Sequence, residues 1–211
     1  MNLIIGLILI LLLLFIGASI YWRYLSRSTS APCPTSLAWM LEFNFLGKPV
    51  GSGMALRQFE LRPGMRVADV GCGPGRLTIP IAQALGSDGE VVALDMQEGM
   101  LDRMNRRASE AGLANVRSIH GGAGEGLLPK GYFDRVMLST VLGEIPERER
   151  ALREIHEALK PGGFLLVFEI LGDPHYQFQS KVRELAAAVG LRPGEVDKGI
   201  ISYSIRLYRP D

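Results

Sequence analysis

Cysteine is nearly absent: the 211 residues hold two, Cys33 and Cys72. So few thiols exclude a disulfide framework, and neither cysteine belongs to a metal-ligand pair. Cysteine use is that of a reducing compartment. Histidine is scarce as well, with three, and no His/Cys cluster stands at zinc spacing. A charge excess of either sign is missing: 23 Lys and Arg against 22 Asp and Glu leave +1. Bulk charge therefore points to no polyanionic partner and to no nucleic acid. No internal repeat or low-complexity tract is visible after residue 30. The length leaves room for one globular domain of ordinary size.

Charge is missing altogether from Leu3 to Ile20, which is almost wholly aliphatic. About 20 such residues span a bilayer core as a helix. Tyr21, Trp22 and Tyr24 follow, where amphipathic rings sit at the lipid–water interface, and then Arg23 and Arg27. A cleaved signal carries its positive charge before a shorter apolar run, so this pattern reads as a retained span over 2–22. The basic bias at its end places the N-terminus outside and the remainder in the cytoplasm. Residues 23–34 read as a linker. Residues 35–61 form an apolar helical or lid-like segment: Leu37, Met40, Leu41 and Phe45 share one helical face, and a short helix falls within Lys48–Leu61.

The chain is organised around Val67-Ala68-Asp69-Val70-Gly71-Cys72-Gly73-Pro74-Gly75-Arg76. A buried strand, Arg66 to Val70, breaks into G-x-G-x-G, and a helix over Leu77–Leu85 follows at once. Glycines belong where the backbone turns sharply or a ligand comes close, and the free N–H groups of the next helix face that ligand. Val91 to Asp95 reads as a second strand ending in a carboxylate about 20 residues on, where a βαβ unit binds ribose hydroxyls. Together these read as a nucleotide-type cofactor loop. G-x-G-x-x-G would need glycine at position 76, which is arginine, so a nicotinamide-type oxidoreductase is the weaker alternative.

Asp69 to Gly75, the acid of Ala93-Leu94-Asp95-Met96, Phe133-Asp134-Arg135-Val136 and Leu159-Lys160-Pro161-Gly162-Gly163 occur in one order. In these motifs the chain resembles the class I S-adenosylmethionine-dependent methyltransferases over roughly Arg62 to Ile170. Within them it is most similar to small-molecule and lipid enzymes, including the quinone-biosynthesis type. The few cysteines separate it from the arsenite methyltransferases. The resemblance implies S-adenosylmethionine as cofactor. It places Asp69 near the amino-acid end of that cofactor, Asp95 on the ribose, and Met96 and Gln97 beside the adenine. Gly71, Cys72, Gly73 and Gly75 line the cofactor, as do Gly122, Ala123 and Ser139. One departure stands out. Gly122 occupies the place of a family aspartate that meets the adenine amino group, so adenine rests on backbone near Ala123 or on Glu125.

The expected fold is α/β and Rossmann-like: a doubly wound, mostly parallel seven-stranded sheet with an antiparallel C-terminal strand, preceded by one transmembrane helix. Further strands fall at Val116–His120, Phe133–Thr140, Gly163–Ile170, near Val196–Ile200, and at Ser202–Tyr208 as an edge strand. Helices fall at Glu98–Ala111, Pro146–Leu159 and Gln179–Val189. The methyltransferase domain runs over 62–211. Acceptor-side candidates come from loops after the fourth and fifth strands: Ser139, Thr140, Glu144, Glu169, Asp173, His175 and Tyr176. His175, Glu144 and Tyr176 are the catalytic candidates, with His175 able to take a proton at neutral pH. The other readings are an ordinary loop histidine for His175 and a helix cap for Glu144. No metal is expected. The expected activity is methyl transfer to a lipophilic small molecule at the cytoplasmic membrane face; a catalytically inactive binding protein of the same fold is the other alternative.

Overall fold

The computed structural model describes residues 52–211 and, before them, only positions 6, 10, 13, 14, 17 and 21, which are helical. Most of the expected span, the linker and most of the 35–61 segment lie outside the described residues. Among the described residues no helix is long and apolar enough to cross a membrane.

The elements are α1 (Ser52–Gln58), β1 (Arg66–Val70), α2 (Thr78–Leu85), β2 (Glu90–Asp95), α3 (Glu98–Glu110), β3 (Val116–His120), β4 (Phe133–Ser139), α4 (Arg148–Ala158), β5 (Leu159–Ile170), α5 (Gln179–Ala188), β6 (Arg192–Lys198) and β7 (Ser202–Tyr208). One seven-stranded sheet has the order β3-β2-β1-β4-β5-β7-β6. All pairs from β3 to β5 are parallel, and β7 is antiparallel to both its neighbours. Both faces are covered, so the central strands are apolar at consecutive positions rather than alternately. Ala68, Val70, Val136 and Leu138 face α4 and α5; Val67, Val91 and Met137 face α1 and α2. Ala55 and Phe59 are fully buried, and Phe59 meets Phe164 edge-on at 6.2 Å. The end of the 35–61 segment is thus packed into the core ahead of Arg62.

Three boundaries differ from expectation. The helix expected from Pro146 starts at Arg148, and Leu159 opens β5 instead of closing the helix. Leu159 pairs with Phe133, and a register shift before Arg135 absorbs Lys160 to Gly163. A turn-forming sequence is thus held in a strand by cross-strand bonds, including Arg209 N–H to the Gly163 carbonyl at 2.8 Å. The strand expected near Val196–Ile200 begins at Arg192, because Pro193 and Gly194 are tolerated on an edge with a bulge. That outer strand makes β7 an interior strand, not the edge its alternation suggested. Ser202 and Ser204 are accordingly buried.

Candidate functional site

The parallel order reverses between β1 and β4, and ligands bind open α/β sheets at the carboxyl ends flanking such a reversal. The glycine loop stands there. Gly71 N–H and Cys72 N–H both donate to the Leu94 carbonyl, at 2.7 and 3.1 Å, which draws the loop over the end of β2. Arg107 Nη1 donates to the Pro74 carbonyl at 2.7 Å and fixes the far side from α3. The glycines divide their tasks. A Cβ on Gly71 would lie 2.5 Å from Val141, and one on Gly75 would lie 2.6 Å from Met104, so both positions serve close packing. Gly73, at φ +53, has nothing within 4 Å of where its Cβ would stand. Its open side is a cradle that a side chain would fill.

Asp95 borders that cradle. One carboxylate oxygen accepts from Gly73 N–H at 2.8 Å and the other from Gln97 N–H at 2.9 Å. Burial still raises its pKa, although those two amides pull the other way. A carboxylate in that condition gains from further hydroxyl donors, as ribose hydroxyls would be. Asp69 lies beneath the loop, its carboxylate accepting from Thr78 Oγ1 at 2.6 Å. Desolvation outweighs Thr78 and Arg76 and lifts it to about 6. Cys72 is buried, and its thiol is pushed well above the usual range, chiefly by burial and then by Asp69 and Asp95. Met96 is exposed beside Asp95, with Gln97 next to it. A nucleoside cofactor fits these residues: Asp95 would hold the sugar, Met96 and Gln97 would flank the base, and Gly73 would leave room for the backbone contact. Beyond β3, the Glu125 carboxylate folds back to within 2.8 Å of where a Gly122 Cβ would stand. The two expected adenine supports, Ala123 backbone and Glu125, are therefore neighbours.

The acceptor side is built by the loops after β4 and β5. Thr140 sits at φ +57, a strained conformation for a β-branched residue, and its hydroxyl donates to the Ser139 carbonyl at 2.7 Å. Arg76 Nη2 reaches Ser139 Oγ at 3.4 Å, joining the glycine loop to the end of β4. Glu144 is no helix cap, since α4 begins four residues later with Glu147 at its N-cap. Its Oε1 lies 3.7 Å from His175 Nδ1, and Asp173 Oδ1 lies 3.9 Å from the same nitrogen. Burial, with Asp173 and Asp95 nearby, pushes Glu144 up to about 8. Glu169 is 1% exposed and also reaches about 8, from burial first, opposed by the Gln177 amide and reinforced by Asp173 and Glu144. His175 is buried, not a solvated loop residue, and its amide donates to Asp173 Oδ1 at 2.7 Å. Tyr176 packs edge-on against Phe178 and Tyr203 at 5.3 and 5.9 Å.

The structure thus brings His175 and Glu144 together from two loops and sets Tyr176 next to His175 on the loop after β5. Sequence reasoning missed Arg76, Thr78, Arg148 and Gly143. Arg148 donates to the Leu142 and Gly143 carbonyls at 3.0 and 2.8 Å and fixes the turn that carries Glu144. A Cβ on Gly143 would collide with the His175 carbonyl. The signal for Gly143 was a lone glycine in an apolar run, the mark of close backbone approach. Arg76 and Thr78 partner residues on separate strands, and Arg148 the loop before its own helix, in no pattern that neighbouring residues reveal.

Residues 67–163 match the family described as a methyltransferase domain. That stretch is an S-adenosylmethionine-dependent methyltransferase domain, and S-adenosylmethionine is its cofactor. The chain is 36% identical over 114 residues to a demethylmenaquinone methyltransferase of Geobacillus kaustophilus, covering 54% of this chain and 49% of that one. It is 36% identical over 122 residues to a ubiquinone/menaquinone biosynthesis C-methyltransferase of Vibrio vulnificus, covering 57% and 46%. The chain spans about half the length of the curated relatives it matches. In fold it superposes on an S-adenosylmethionine-dependent methyltransferase from Aquifex aeolicus with a TM-score of 0.77 at 22% identity, covering 84% of this chain and 99% of that one. The domain match displaces the oxidoreductase alternative.

Proposed function

We propose that the chain methylates a lipophilic small molecule of the quinol type at the cytoplasmic face of a membrane, anchored by residues 2–22. Its domain would comprise 62–211 together with the packed end of the 35–61 segment. The observation that carries the reading is the open cradle at Gly73 facing a buried Asp95, with His175, Glu144 and Glu169 gathered on the adjoining loops and strand end. Similarity to quinone methyltransferases favours the acceptor class, and the uncharged Leu3–Ile20 stretch favours a membrane setting.

When bound, S-adenosylmethionine supplies a methyl group activated on a sulfonium, so the protein positions the acceptor and handles a proton. Asp95 holds the sugar and Asp69 faces the amino-acid end. Burial keeps Glu144 and Glu169 protonated at neutral pH. That leaves the His175 imidazole to take the proton from an acceptor hydroxyl. The positive charge so formed is answered by the Asp173 carboxylate, 3.9 Å from Nδ1, while the neutral Glu144 carboxyl lies 3.7 Å from the same nitrogen. Tyr176 contributes an aromatic wall to the acceptor.

The test incubates the full chain with membrane extract and methyl-deuterated S-adenosylmethionine, then searches the lipid fraction by mass spectrometry. A labelled lipophilic product that disappears with Asp95→Ala is the expected result. Label confined to water-soluble products would overturn the acceptor class, and absence of any product despite cofactor binding would favour the inactive binding protein.

A further inference from the structure

In the described domain, the exposed large apolar side chains all lie on one edge of the sheet. Met96 follows β2, Leu127 follows β3, Leu171 and Phe178 follow β5, and Ile200 and Ile201 form the turn between β6 and β7. Because Ser202 stands opposite Ile170 in the antiparallel β5–β7 pair, that turn lies at the carboxyl edge, beside the candidate site. Leu171 N–H donates to the Ile201 carbonyl at 2.7 Å and joins loop to turn. Met96 belongs to the cofactor cleft by its place beside Asp95. The rest are not explained by the site.

Four of these residues gather around Tyr176 and the β6–β7 turn. Ile200 is fully exposed, Phe178 is 62% exposed and Leu171 48%. Leu171, Ile200 and Ile201 line a hollow of ≈180 Å³ together with Tyr176, Tyr203 and Lys198, and Phe178 packs edge-on against Tyr176 at 5.3 Å. Lys198 is exposed, and no ion pair among the described residues includes it. Exposed apolar groups gathered at the mouth of a site, with a free cation beside them, mark an interaction surface rather than scattered surface residues.

We propose that Leu171, Phe178, Ile200 and Ile201 form a lipid-docking rim that seats the acceptor site against the bilayer, with Lys198 meeting anionic head groups. Aliphatic and aromatic side chains with a flanking lysine suit the boundary between head groups and acyl chains. The chain outside the described structure argues for lipid as the occupant. Leu3–Ile20 is uncharged, and residues 21–51 could extend roughly 100 Å at about 3.3 Å each, ample to bring this edge down onto the same membrane. A water-insoluble acceptor would then pass from lipid to the hollow beside Tyr176 without crossing water. The inference builds on the membrane span proposed above and adds which face of the domain meets the lipid.

The test uses the full chain with Cys33→Ser and a nitroxide on Ile200→Cys; the buried Cys72 does not compete for the label. A second label on Glu110→Cys, at the end of α3 on the opposite edge, is the control. Both proteins are bound to vesicles of phosphatidylethanolamine with a minority of phosphatidylglycerol, and flotation is measured first. Affinity for S-adenosylhomocysteine within about twofold of the unlabelled chain establishes an intact domain. In floated protein, oxygen collisions should exceed nickel-chelate collisions several-fold at position 200, with the order reversed at 110. Nickel access at 200 equal to that at 110 would overturn the rim while leaving the span intact. Shielding from both reagents would place a protein segment over the rim and overturn lipid as its occupant. Failure to float would remove span and rim together, while retained affinity for S-adenosylhomocysteine would leave the methyltransferase reading standing.

Discussion

At the amino edge of the sheet, Asp134 accepts from Lys160 Nζ at 2.6 Å and from the Arg66 amide at 2.8 Å. At the carboxyl edge, Glu169 accepts from the Gln177 amide at 3.2 Å, and its other oxygen has no partner in the structure. Burial alone would raise both acids. Lys160 and the Arg66 amide outweigh it for Asp134, which stays low, whereas Glu169 rises to about 8. The contrast extends along each edge. Glu90 is held low by Tyr132 and Arg117 against its own burial, and Glu157 by Lys130. Asp69, Asp95 and Glu144 are all raised, burial being the largest cause in each. One edge has its charges paired for stability. The other keeps carboxyl groups whose burial outweighs the partners they have, which costs stability and leaves groups able to meet a ligand or hold a proton.

The comparison can be tested at both ends. The largest effect is expected from Asp95→Ala, which removes the acceptor for Gly73 and Gln97 and the groups for the sugar hydroxyls. Hydrogen bonds to charged groups contribute about 1.5–3 kcal/mol each, so affinity for S-adenosylhomocysteine should fall about a hundredfold by calorimetry. Wild-type affinity would remove the cleft from that position. Next come Gly73→Ala and Gly75→Ala. The first should lower cofactor affinity about tenfold at a backbone strain of about 1–2 kcal/mol. The second drives a Cβ into Met104 and should destabilise by about 2–3 kcal/mol, whether or not cofactor is present. Identical behaviour of the two would erase the division of tasks among the glycines.

A third effect concerns pH. Glu144 and Glu169 have folded pKa values near 8 against 4.5 unfolded, so the folded state binds more protons between those limits. Stability is therefore fully present below about 4.5 and falls as pH rises toward 8. Melting temperature should drop between pH 5 and 9, and Glu169→Gln should flatten the slope. A rising wild-type curve would contradict the raised pair. The smallest effect is expected from Asp134→Asn. Its partly exposed pair with Lys160 contributes about 1 kcal/mol, so melting should shift slightly while cofactor affinity stays constant. Loss of cofactor affinity there would couple two edges that the structure keeps apart.

Much of the candidate site was legible because its signals are local. Gly71 to Gly75, Asp95 and the loop residues Glu144, His175 and Tyr176 follow strand ends that hydrophobic runs reveal. What escaped depends on long-range packing. Arg76 meets Ser139 across 63 positions, and Gly73 differs from its sister glycines only through what Val141 and Met104 do nearby. Asp134 and the Lys160-Pro161-Gly162-Gly163 turn sit among the motifs of the resemblance, yet the structure puts them on the edge away from the glycine loop, where they brace β1, β4 and β5.

By itself, the sequence determined the α/β alternation, the cofactor loop and the acid that ends β2, because strand and helix periods and glycine turns are written in neighbouring residues. Only the tertiary structure decided that β7 is interior, that His175 is buried beside Glu144, and that two carboxyls stay protonated at neutral pH. The reason is that burial and charge pairing are fixed by atoms brought together from distant parts of the chain, which no local pattern records.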